Sequence, residues 1–319
     1  MIFKKKSVFL LIIFCSVPIL SYIFIYNTKN KIIVYEDTYY LLKKNTNQKK
    51  ILFELKTKNI DISRFKWKLT SLIHEKPFIP KAGEYFIPKN FTLYDLQKIF
   101  LLGKTLTRNF TLIEGSTAEE LEINLLKNPY LTGEVKNLKE GVYKPDTYFF
   151  KYGYPRKKLL AQMKLAQDKL INFIWKKKPK DFILKNKNEL LILASIIQKE
   201  SSHLDDSRLV ASVFINRLKN KMKLQSDVTL AYGFGVNGKK ITKKMLKSNN
   251  LFNTYYFQGL PPTPISYPGK NALISLIDLK KTNYLYFVSD GNGRHRFAET
   301  YSLHKKNIEL WKKKRSKDK

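Results

Sequence analysis

The sequence predicts an α+β protein: a small module and then a larger mixed domain, both behind a single N-terminal transmembrane helix. Three observations carry that expectation. Ser7 to Tyr26 is a run of twenty residues without a charge. Residues 27–106 carry short strand and helix patterns in alternation. Residues 107–311 contain long helical periodicities and then aromatic and Gly-rich turn chemistry ending in a hairpin pattern.

At a rise of about 1.5 Å per residue, the uncharged run spans a hydrocarbon core of about 30 Å. Pro18 is tolerable inside such a helix. Lys4, Lys5 and Lys6 precede it, as they would in a signal peptide, but no small-x-small cleavage site follows and the run exceeds a signal core. Ile12-Ile13-Phe14 lacks the small residues expected ahead of a lipidated Cys15. The run is therefore expected to be an uncleaved anchor in the cytoplasmic membrane, with residues 1–6 as a cytoplasmic tail and the rest on the outer face. Lys29 and Lys31 weaken that charge asymmetry.

Lys and Arg total 60 against 26 acidic residues, a net charge of +34. Such a balance suits nucleic acid, anionic lipid or an anionic polymer. The charge is spread along the whole chain, however, and the joint richness in Lys, Asn, Ile, Phe and Tyr matches an AT-rich coding bias. No nucleic-acid motif is present, and the anchor points the chain away from the cytoplasm, so nucleic acid is not expected as a partner. The single cysteine excludes an intramolecular disulfide and a cysteine-based zinc cluster. His203, His295 and His304 make no metal spacing, so neither metal nor cofactor is expected.

In the small module, Ile32–Glu36 reads as a short strand. Asn47–Lys58 and Ile62–Glu75 have helical periodicity, with Leu52, Phe53, Leu55, Phe65, Trp67, Leu69 and Leu72 as core candidates. Ala82–Pro88 reads as a second strand, and Thr92 caps a helix that Gly103 ends. Strand, two helices, strand is the order of a LysM-like glycan-binding module, an order that many small α+β units share.

Beyond Thr107, Phe110–Ile113 is an expected strand, Glu114-Gly115 a turn, and Thr117 to Glu120 a capping box. Helices are expected over about Arg156–Lys177, Asn188–Ser202 and, with Asp205 as N-cap, to Leu218. Leu285–Ser289 reads as a buried strand. Gly291-Asn292-Gly293 turns it back into Arg294–Phe297. The Lys-rich residues 312–319 read as a frayed tail.

The segment Leu191 to Glu200 is mostly apolar and ends in one carboxylate, followed by small hydroxyl residues. A desolvated helix end disfavours the charged form of a carboxyl, which general acid chemistry requires near neutral pH. The same pattern also fits a core helix whose last Glu faces water.

Several blocks in order resolve that choice. They include Ala82-Gly83-Glu84-Tyr85, Glu114-Gly115, Pro145-Asp146-Thr147 and Leu193 to Glu200. Val210 to Leu218, Leu224-Gln225-Ser226-Asp227, Asn253-Thr254-Tyr255 and Gly259 to Ile265 follow, then Pro268-Gly269 and Tyr284 to Gly293 with His295 and Phe297. Across nearly all its length the chain resembles the YceG-like endolytic lytic transglycosylases, the MltG family. The resemblance implies an enzyme that cuts the β-1,4 bond between N-acetylmuramic acid and N-acetylglucosamine in peptidoglycan. The muramyl C6 hydroxyl is the nucleophile and a 1,6-anhydro end results. Trimming of nascent strands near peptidoglycan synthases is implied by family analogy alone.

Glu200 is the expected catalytic acid and base. The family's helix commonly ends Glu-Lys-Glu-Thr, whereas this chain has Gln198-Lys199-Glu200-Ser201, so the first acidic position is an amide. The expected substrate-binding residues are Ser201, Gln225, Asp227, Asn253, Tyr255 and His295. Ser201 either bonds the Glu200 carboxyl or caps the helix end. Asp227 either holds sugar or caps the segment after it, where Val228 replaces the family's usual Pro. Tyr255 is a stacking surface or ordinary core, and His295 a site residue or a structural one. A catalytically inactive, membrane-anchored peptidoglycan-binding protein is the alternative that Gln198 and Val228 keep open.

Overall fold

The chain opens with the helix Ile2–Asn30, which contains Pro18. The computed structural model describes residues 2–201, 203–236 and 238–317, and the side chains of residues 2–13, 15, 239 and 317 lie outside that description. Much of the expected anchor Ser7–Tyr26 falls on those side chains. Among the described residues, no helix is long and apolar enough to cross a membrane. Two units follow from the packing of the chain, Met1–Arg108 with Phe149–Gly153 and Asn109–Tyr148 with Tyr154–Lys319.

In the first unit, Thr38–Leu42 pairs antiparallel with Gly83–Ile87, with Thr38 opposite Ile87 and Leu42 opposite Gly83. The helices Gln48–Lys56 and Arg64–Ser71 lie between these strands in sequence, and Leu93–Leu102 follows them. Asn47, Ser63 and Thr92 each accept a backbone N–H at their helix starts, Thr92 within a full capping box with Asp95. Gly103 ends the last helix in the left-handed region that favours glycine. Phe100 is fully buried, its ring 4.7 Å from Tyr85 and 5.7 Å from Tyr40. Gln97, also fully buried, donates to the Trp67 carbonyl at 2.8 Å, so the polar group inside this core is paired.

Several expectations for this unit need correction. The first strand is Thr38–Leu42, and at Ile32 only an isolated bridge to Thr92 forms. Phe53, Phe65 and Leu72 are exposed. The helix Arg64–Ser71 is short, and its buried residues are Trp67 and Thr70, a narrower stripe than the apolar spacing suggested.

The second unit is built round the helix Lys187–Glu200. Its residues from Leu190 through Ile197 are all buried, which marks it as a central helix rather than an amphipathic one. Arg156–Lys176, Leu204–Lys219 and Lys270–Ser275 contribute Ile174, Phe214 and Leu273 to the same core. The hairpin Tyr286–Ser289 with His295–Ala298 and the helix Tyr301–Lys317 complete the chain's C-terminal part. Lys312 to Lys317 thus continue a helix, and residues 318 and 319 lie outside the described residues. The third expected helix starts at Leu204 with His203 in the cap position, so Asp205 lies in its first turn rather than capping it. The expected helix end at Ser202 falls on a residue outside the description, and the helix closes at Glu200.

Gly269 shows how tightly one turn is drawn in. A Cβ there would lie 1.8 Å from Glu114 Oε1, a distance no real contact permits. In the first unit, Phe100→Ala is expected to cost about 3–5 kcal/mol through the cavity it leaves. Urea denaturation followed by the fluorescence of Trp67, with Trp175 and Trp311 replaced by Phe, measures it. An unchanged midpoint would mean that this aromatic cluster does not hold the unit together.

Candidate active site

Glu200 is the last residue of the central helix, and Ser201 beyond it is extended. The helix is buried from Leu190 through Ile197, and the carboxyl emerges from that core into a cleft. Its Oε1 accepts the Ser226 hydroxyl at 2.5 Å. Burial pushes the Glu200 carboxyl up, and the nearby Asp227 carboxylate adds to this, while the Ser226 bond and the charge of His295 pull it down. The negative end of the helix dipole also disfavours an anion here. Gln198 diverges from it, accepting the Gly269 N–H at 2.9 Å. Two residues apart on a helix, the amide secures a turn and the carboxyl faces the cleft.

A second side of the cleft is the segment Leu224 to Asp227. Gln225 has φ 49°, and its N–H reaches the Thr254 carbonyl at 3.1 Å. The Ser226 N–H reaches Thr254 Oγ1 at 3.0 Å. These bonds tie the segment to the loop after it and aim Ser226 at the helix end. Asp227 begins the helix Asp227–Gly233, in which Val228 occupies the first turn. Its carboxylate accepts the Tyr255 hydroxyl at 2.7 Å. Burial, and then the Asp227 carboxylate, push the Tyr255 phenol up, which keeps it a donor.

The third side is the hairpin. His295 donates from its backbone to Asp206 Oδ1 at 3.2 Å, and its Nδ1 lies 2.6 Å from Asp206 Oδ2. Burial pushes the Asp206 carboxyl up, but the His295 bond and charge, with Ser201 and the His295 N–H, outweigh it and hold it below the usual range. Arg217, only 7 % exposed, braces this side: Nε donates to the Leu285 carbonyl at 2.6 Å and Nη1 to the Leu224 carbonyl at 2.9 Å. The guanidinium also lies 5.3 Å from the centre of the Tyr286 ring. The resulting cleft has a volume of about 370 Å³ and includes Glu200, Gln225, Asp227, Tyr255, Tyr286 and His295 in its lining.

The structure therefore brings together Glu200, Gln225, Asp227, Tyr255 and His295. It does not bring Ser201 or Asn253 into the cleft lining. Ser201 is buried, and its hydroxyl serves the His203 carbonyl and Asp206 rather than the Glu200 carboxyl. The hydroxyl on Glu200 is that of Ser226. Asn253 is fully buried, its amide donating to the carbonyls of Met245, Leu246 and Ser248, so it holds a loop. Sequence reasoning passed over Ser226, Asp206, Arg217 and Tyr286. Ser226 sat in plain view between two polar candidates, but nothing local shows which of the three faces the helix end.

A carboxyl whose pKa burial raises, a second carboxylate held by a phenol, and tyrosine rings in an open cleft suit proton transfer to a bound ligand. The YceG-like family model matches residues 40–310. The endolytic murein transglycosylase of Bacillus subtilis (strain 168) is 34% identical over 199 residues, covering 59% of this chain and 54% of that protein. The protein of the same name from Streptococcus pneumoniae (strain ATCC BAA-255 / R6) is 33% identical over 176 residues, 53% of this chain and 31% of that one. The chain thus spans about half the length, or less, of these curated relatives. The 2.6 Å crystal structure of a YceG-like protein from Listeria monocytogenes matches with a TM-score of 0.57 at 24% identity, over 85% of this chain and 98% of that one. That likeness bears out the mixed α+β fold. The family match covers most of the sequence, and the chain belongs to the YceG-like family.

Proposed function

We propose that this chain is an endolytic lytic transglycosylase of peptidoglycan, with Glu200 as its acid and then its base. The observation that carries the reading is the Glu200 carboxyl, pushed up by burial at the end of the central helix and open to an aromatic cleft. The names of the two murein transglycosylase relatives support it.

In the proposed reaction Glu200 gives its proton to the glycosidic oxygen, and the bond from the muramyl C1 to that oxygen breaks. The C6 hydroxyl of the same muramyl residue bonds to C1, and its proton returns to Glu200. The carboxyl ends as it began, no water is consumed, and the product carries a 1,6-anhydro ring. The nucleophile is part of the substrate, so proximity replaces a second catalytic carboxyl. Ser226 orients Glu200. Asp227, Tyr255 and Gln225 are the groups offered to sugar hydroxyls and N-acetyl groups, and His295 is held toward the cleft by Asp206. The first unit, by its strand-helix-helix-strand order, serves as a LysM-like glycan-binding module, and Ser7–Tyr26 as a membrane anchor that keeps the chain at the outer face of the cytoplasmic membrane.

Glu200→Gln is expected to lower the cleavage rate by about two to four orders of magnitude without changing the melting temperature. Mass spectrometry of digested peptidoglycan checks it: internal cuts with 1,6-anhydromuramyl ends, made by the wild type and not by the variant. Reducing ends instead would mean hydrolysis, with Asp227 as the second carboxylate. A folded wild type that binds glycan and cuts nothing would make the chain an inactive binder.

The pH profile carries its own expectation. A general acid must be protonated, so kcat/KM falls as pH rises through the Glu200 pKa, which lies above the ordinary value of 4.5. Asp227→Asn removes a negative neighbour, eases ionisation, and is expected to move that limb to lower pH. Ser226→Ala withdraws a bond that favours the carboxylate and is expected to move it to higher pH. Shifts of the opposite signs would contradict the assignment of the limb to Glu200.

A further inference from the structure

His304 borders the cleft but takes no part in the proposed proton transfers. It lies in the first turn of the helix Tyr301–Lys317 and lines the same space as Glu200, Asp227 and Tyr255. Its backbone is firmly placed. The His304 N–H donates to the Thr300 carbonyl at 3.0 Å. Three residues on, the buried Asn307 amide donates to the Phe297 carbonyl at 3.4 Å, which ties the helix to the hairpin. The imidazole stacks on Tyr286, with ring centres 5.2 Å apart and planes 22° apart. The Arg217 guanidinium lies over that same phenol ring.

The ring's two nitrogens are not equivalent. Nδ1 is buried and has no hydrogen-bond partner among the described residues. The residue as a whole is partly exposed and lines the cleft, so its open edge lies away from Nδ1. Burial, and then the Arg217 charge, push the imidazole below its ordinary value of 6.5, which leaves it neutral at neutral pH. A neutral imidazole carries one N–H and one bare nitrogen. Orphaned buried N–H groups are rarer in folded proteins than orphaned acceptors, which favours the proton on Nε2, diagonally across the ring. Such a tautomer gives the cleft a donor to set beside the acceptors of Glu200 and Asp227. Sugar rings carry oxygens able to take it.

We propose that His304 is a substrate-binding residue, donating a hydrogen bond from Nε2 to a sugar oxygen of the strand held in the cleft. The inference rests on the reading of the cleft as a glycan site, and not on Glu200 being the acid.

The test is isothermal titration calorimetry of purified peptidoglycan glycan strands with the full chain carrying Glu200→Gln, which keeps the strand uncut. In that parent, His304→Phe keeps the stack on Tyr286 and removes both nitrogens. It is expected to weaken binding by about five- to tenfold, the value of one hydrogen bond. His304→Gln can set an amide N–H where Nε2 stands and is expected to keep most of the affinity. His304→Asn, whose amide reaches only the Nδ1 position, is expected to lose it as Phe does. Melting curves show that each variant is folded. Parent affinity in folded His304→Phe would overturn the inference, as would equal losses in the Gln and Asn variants or rescue by Asn alone. A folded parent that binds no glycan would overturn it together with the glycan reading of the cleft. The expected pattern of affinities in a chain whose Glu200 form cuts no strand would uphold the role of His304 and remove only the transglycosylase chemistry.

Discussion

The structure depends on a helix that is buried all the way round from Leu190 through Ile197 and that ends on the Glu200 carboxyl. From Leu190 through Ile197 the helix has no solvent face. Its polar interior residue is accounted for locally: Ser195 donates to the Ile192 carbonyl at 2.7 Å and accepts the Ile265 N–H at 3.0 Å. That second bond also fixes the Pro-rich loop against the helix. Because the helix cannot rotate without exposing apolar surface, the direction of its last side chains is set by the core. Gln198 meets Gly269 and Glu200 meets Ser226.

The other parts of the cleft are held by buried polar anchors rather than by apolar contact. Asp206, 6 % exposed, joins the first turn of the helix Leu204–Lys219 to the His295 hairpin. Arg217, near the other end of the same helix, ties the hairpin's entry at Leu285 to the segment before Gln225. One helix thus positions two walls through two charged side chains, Asp206 accepting from His295 and Arg217 donating to the carbonyls of Leu285 and Leu224. Buried charged groups are tolerated when they are hydrogen-bonded, and those bonds specify geometry as much as stability.

Much of this was legible in the sequence, and the residues that were not share a physical reason. The cap at Thr92, the capping box at Thr117, the Gly103 stop and the hairpin about Gly291 to Gly293 depend on neighbours within a few positions. They appear where local chemistry put them. Glu200 was visible because an apolar run ended on it. Phe53, Phe65 and Leu72 were misjudged because apolar identity does not say which side of a short helix finds a partner. Ser226, Asp206 and Arg217 were invisible as site residues because their roles come from contacts far away in sequence. Asn253 and Ser201 bond backbone and lie outside the cleft lining, as polar side chains in loops often do.

The account turns on one carboxyl whose pKa its surroundings raise. The direct measurement is a ¹³C NMR titration of the Glu200 carboxyl in labelled protein, assigned by its loss in Glu200→Gln. A midpoint clearly above the ordinary 4.5 is the predicted result. A midpoint at or below that value would mean an ionised Glu200 at neutral pH, and a different group would have to supply the proton.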